Sequence, residues 1–91
     1  MKFDEKIDED FQIKIKQKLN EIYPNTDLSD LFIRLSKENE KVIVINSQNF
    51  SMKDLKTEDI KKFEKDLNIK YIATTLINNQ IQTRYLIKED I

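Results

Sequence analysis

Apolar residues recur at helical spacing along the first quarter of the chain. Phe3, Ile7, Phe11, Ile15, Leu19 and Ile22 stand four and three apart, which puts them on one stripe and predicts an amphipathic helix over residues 4–23. Asp4 is the expected cap. Acidic residues crowd the first turns and Lys14, Lys16 and Lys18 lie toward the end, and both biases suit the helix dipole. Pro24 stops the helix. Phe11, Ile13 and Ile15 also alternate with polar residues as a strand would, but the helical period persists longer. On a helix Ile13 lies opposite the apolar stripe.

After a polar loop at 24–30 the period changes from helical to alternating. Residues 31–36 and 41–47 predict a β-hairpin around Glu38-Asn39-Glu40. Val42-Ile43-Val44-Ile45 is apolar on both faces and β-branched throughout, which predicts a central strand. Residues 48–56 read as irregular, with one helical turn after Ser51. Thr57 is the expected cap of a second helix, 58–67, buried through Ile60, Phe63 and Leu67. Asn68 is placed to take the left-handed conformation at the helix end. A second hairpin then joins 69–77 to 80–88 through Asn78-Asn79.

The predicted order is α-β-β-α-β-β in a single domain spanning residues 1–91. One stripe per helix and a four-stranded antiparallel sheet make a two-layer α+β sandwich, with both helices on one face. The order can be read as a permuted ferredoxin-like arrangement whose first strand has moved to the end, an analogy of topology alone.

The two-residue turn sets which side chains share a face. It pairs Leu76 with Ile81, Thr74 with Thr83 and Ile72 with Tyr85 toward the helices. It pairs Ile77 with Gln80, Thr75 with Gln82, Ala73 with Arg84 and Tyr71 with Leu86 on the other side. In the first hairpin Leu31, Ile33, Leu35, Ile43 and Ile45 are the expected core face. The open face is then expected to carry Phe32, Arg34, Val42, Val44, Tyr71, Ile77, Arg84 and Leu86. Aromatic residues and Arg are the types enriched at binding hot spots, so this face is the candidate binding site. The competing expectation is that helices on both sides, or the loops 24–30 and 48–56, cover it.

Composition alters this picture in two ways. Ile, Lys and Asn supply 36 of the 91 residues, while Gly, Cys, His and Trp are absent and Arg occurs twice. The bias toward residues with A/T-rich codons points to an AT-rich genome. It makes both arginines, on one expected face, more informative than any lysine. The missing glycines leave Asn39, Asn68, Asn78 and Asn79 to supply left-handed backbone. Zero Cys fits a reducing, cytoplasmic setting, and no apolar run is long enough for a membrane span.

Recognisable chemistry is sparse. No Gly-rich phosphate loop, thiolate or imidazole is possible, and no cofactor is implied. Asp4 with Asp8 and Glu5 with Glu9 share helix faces, but acids there suit a solvated helix start. Asp8-Glu9-Asp10 lacks calcium-loop spacing, so no metal site is expected. The second-helix lysines alternate with acids and read as a paired surface.

The expectation is therefore a non-catalytic protein-binding module acting on a protein partner or on a second copy as a homodimer. An inhibitor, an antitoxin-like protein or an accessory subunit, carried on a mobile element, would suit the size and composition. The alternative is a single-stranded nucleic-acid-binding protein that stacks bases on Phe32 and Tyr71 beside the arginines. The net charge of −1 counts against nucleic acid and against a membrane surface.

Overall fold

The computed structural model describes residues 1–25, 27–48 and 57–88, without the side chains of Thr57 and Ile60. The expected turn after Ser51 and the capping side chain of Thr57 lie outside that description. The elements are β1 (Lys2–Phe3), α1 (Glu9–Ile22), β2 (Phe32–Leu35), β3 (Val42–Ser47), α2 (Thr57–Leu67), β4 (Ile69–Ile77) and β5 (Gln80–Ile87). The fold is α+β, but among the described residues its sheet has five strands and is mixed, in the order β1-β2-β3-β5-β4. The expected four-stranded antiparallel sheet is corrected by β1, which pairs parallel to β2 through Lys2 with Phe32 and Phe3 with Ile33.

That added strand shortens the first helix. Helix α1 starts at Glu9, because Asp8 accepts hydrogen bonds from the backbone N–H of Asp10 (2.9 Å) and Phe11 (3.3 Å). Asp4 caps a turn instead, taking the N–H of Lys6 at 3.1 Å. Phe3 and Ile7 still reach the core, from a strand and a turn rather than from the helix. A four-residue spacing cannot tell these backbones apart when the same side chains end up buried. Ile13 is exposed, as its place opposite the stripe requires.

The core lies between one sheet face and both helices. Ile15 and Leu19 of α1 and Phe63 and Leu67 of α2 meet Ile33, Ile43, Ile45, Ile69 and Tyr85, and Leu28 from the first loop joins them. The rings of Phe63 and Tyr85 sit 5.5 Å apart at a tilt of 60°. Strand β3 is central, flanked by β2 and β5, and β5 separates β3 from β4. The β3-α2-β4 connection therefore leaves room for one strand, a split β-α-β unit.

Asparagine does glycine's backbone work at three of the four expected places. Asn68, Asn78 and Asn79 have φ of 55°, 51° and 63°. Asn39 is not among the described residues with positive φ. It closes its turn by accepting the N–H of Lys41 on its side chain (3.0 Å) and of Val42 on its carbonyl (3.0 Å).

Candidate functional site

The sheet face away from the helices is built by register. Cα pairing aligns Arg34 of β2, Val44 of β3, Arg84 of β5 and Ala73 of β4 in one row. A second row joins Phe32, Asn46, Gln82 and Thr75, and a third joins Val42, Leu86 and Lys70. Six of the expected site residues thus come together: Phe32, Arg34, Val42, Val44, Arg84 and Leu86. Neither helix covers them, and the loop 24–30 sends Leu28 into the core on the helix side, while residues 49–56 of the second loop expected to cover the face lie outside the described residues.

Tyr71 does not join them. An irregularity between Tyr71 and Ala73 makes Ile72 an extra residue, so Tyr71 pairs with Tyr85 rather than with Leu86. One inserted residue reverses the face of everything before it. Tyr71 sits on the helix side, edge-on to the Tyr85 ring at 5.8 Å and 71°, and its hydroxyl is 2.7 Å from Thr74 Oγ1. The pairings nearer the turn match the expected register. Nothing in a single Ile marks a bulge; the apolar Tyr-Ile pair fits either phase.

The expected broad apolar patch is also smaller than side-chain types imply. Val44 is 1% exposed although no helix packs over it. Its neighbours in register are Arg34 and Arg84, and those on the same face of its own strand are Val42 and Asn46, so side chains flank it on every side. Val42 and Leu86 are half-buried, which leaves Phe32, 36% exposed, and Ile77 at the margin.

The charge on this face is one-sided. Its strand positions carry Lys2, Arg34, Lys70 and Arg84 and no acidic residue. Arg84 donates from Nη1 to Thr75 Oγ1 and from Nη2 to Gln82 Oε1, both at 2.9 Å and both neutral. Arg34 donates to the Leu35 carbonyl at 3.5 Å. Among the described residues neither guanidinium has a carboxylate in ion-pair reach. Since the whole chain is −1, its other surfaces are net acidic. Sequence charge counts miss this because the four residues are scattered from 2 to 84.

At the β2 end the face runs into a groove of about 500 Å³ lined by Phe3, Phe32, Arg34 and Leu35. Asp4, Glu5 and Glu40 also line it, with Lys6 and Lys37. Among the described residues no group of three or more Asp or Glu converges as a metal site, and no helix is long and apolar enough to cross a membrane. Compared with models of known protein families, with curated proteins and with solved structures, this chain matches none.

Proposed function

We propose that this chain is a small non-catalytic binding protein whose outer sheet face docks an acidic protein surface, as an inhibitor or accessory subunit would. The observation that carries the reading is the row Arg34-Val44-Arg84. Arg84 is held by two neutral partners and Arg34 makes one long bond to a carbonyl, both beside the buried Val44, and among the described residues neither guanidinium meets a carboxylate. Guanidiniums held in place and left unneutralised suit bidentate recognition of carboxylates. Phe32 adds apolar contact beside them. The split β-α-β unit supports reading β2 to β5 with both helices as a permuted ferredoxin-like arrangement, which leaves one sheet face without a helix layer.

The test is capture of partners by the tagged protein from its host lysate, with and without nuclease. The expected result is a protein retained after nuclease and lost at least tenfold with Arg84→Glu or Phe32→Asp. Capture that survives both substitutions would remove this face from consideration.

The same one-sided charge favours a second reading, single-stranded nucleic acid, weakened by the loss of Tyr71 as a stacking surface. Four phosphate contacts would give a log–log salt slope of about −3. A nuclease-sensitive partner and that slope together would decide for it.

A further inference from the structure

Among the described residues six large hydrophobic side chains are exposed, and four of them, Tyr71, Ile72, Leu76 and Ile77, belong to β4. Leu76 is 73% exposed, the highest of the six. Strand β4 forms one edge of the sheet and is nine residues long, whereas the opposite edge is the two-residue β1. A long apolar edge offers unpaired backbone groups to another strand.

The hairpin fixes which groups those are. Ile77 and Gln80 flank the two-residue turn and exchange backbone hydrogen bonds, so alternation turns Ala73 and Thr75 toward β5 and Thr74 and Leu76 outward. Across the bulge the same phase is seen at Tyr71, whose N–H points away from β5 and donates to Glu64 Oε1 at 3.3 Å. The bulge and Glu64 blunt the first part of the edge. Residues 73–77 have no such protection: they include no charge and no Pro.

We propose that Ala73–Ile77 is a strand-addition edge occupied by the same segment of a second copy, antiparallel about a two-fold axis at Thr75. In this register the outward N–H and C=O of Thr74 meet those of Leu76 in the other copy, on both sides of the axis. Ile77 falls opposite Ala73, a large side chain against a small one. Lys70 is the one charged residue of β4, and antiparallel pairing sets the two copies of it roughly 30 Å apart at 3.3 Å per residue. That is well beyond the Debye length of about 8 Å. A parallel pairing would stack them. The two sheets join edge to edge, and the basic outer faces stay open, so this inference does not rest on the reading of that face.

The test uses the intact chain, which contains no cysteine. Sedimentation over a concentration series is expected to show a monomer–dimer equilibrium. Leu76→Pro removes one outward N–H and an exposed side chain without touching the β5 ladder, and should weaken dimerisation at least tenfold. Thr75→Cys brings two thiols face to face at a spacing a disulfide accepts, so mild oxidation should cross-link it quickly. Lys61→Cys, on exposed α2, should cross-link at the slow collisional rate. Arg34→Glu, on β2 and separated from this edge by β3 and β5, should leave the dimer intact. A wild-type chain that stays monomeric up to about 1 mM, or Thr75→Cys that cross-links no faster than Lys61→Cys, would overturn the proposal.

Discussion

Tyr85 has the largest of the fully buried side chains, and among the described residues its hydroxyl has no hydrogen-bond partner. Burial pushes its phenol well above the ordinary tyrosine pKa, with the Glu64 carboxylate adding to the shift. An unpaired buried hydroxyl costs about 1–3 kcal/mol. Tyr85→Phe keeps the ring contacts with Phe63 and Tyr71 and removes that cost. It is expected to stabilise the fold by about 1 kcal/mol, a rise in Tm of roughly 4–8 °C in a thermal melt. A lower Tm would mean that the hydroxyl is satisfied in solution. Asn68 shows the opposite case, a polar side chain put to use. It holds the left-handed φ after α2 and donates from its side chain to the Lys88 carbonyl at 3.2 Å. With no glycine in the chain, Asn is the residue that takes this conformation at least cost.

Among the elements, α1 shows how far a periodic pattern reaches. The stripe from Phe3 to Ile22 foretells which residues are buried, but the helix covers only Glu9–Ile22. Asp4 is the expected cap, but with Lys2-Phe3 paired to β2 Asp4 closes a turn and Asp8 caps the helix. The consequence is measurable. Asp8→Ala should cost about 1 kcal/mol in urea unfolding, since it strips the two amides at the helix start of their acceptor. Asp4→Ala loses only the turn bond to Lys6 and should cost distinctly less. The reverse order would place the helix start at Asp4. Strand β4 makes the same point in the other direction: its limits and its turn agree with the alternation, and one bulged residue still moves Tyr71 to the opposite face.

At the scale of the whole molecule the helices are tied across their packing by Lys18 Nζ and Asp66 Oδ2 at 2.7 Å, with Glu21 at 3.4 Å from the same amine. The hydrogen bond from Lys18 holds the Asp66 carboxyl below its ordinary 3.8, and the same bond raises Lys18 above 10.5. A carboxylate with a depressed folded-state pKa adds stability above its unfolded value and loses it as pH falls through the folded one. Asp66→Asn should therefore lower Tm slightly at pH 7, where the pair is solvent-facing and weak. The gap from wild type should close as pH drops below 3.8, and thermal melts across that range test it. A gap that persists in acid would mean that Asp66 acts through packing. The same scale holds the molecule's clearest asymmetry, a basic outer sheet face in a chain that is nearly neutral.

The sequence alone determined what depends on neighbours within a turn or two. That includes the stripe of α1, the burial of Phe63 and Leu67 in α2, the Asn78-Asn79 turn, the left-handed Asn68, the central place of the β-branched run in β3, and a composition without imidazole or thiol side chains. Only the tertiary structure decided what depends on partners far along the chain. It paired Lys2-Phe3 with β2, inserted Ile72 as a bulge, buried Val44 between Arg34 and Arg84, and gathered four separated basic residues on one face. The physical reason is that side chains alternate across a strand with a period of two. Local pattern fixes that alternation, but a one-residue shift set by the pairing strand reverses it, and no local signal records the shift.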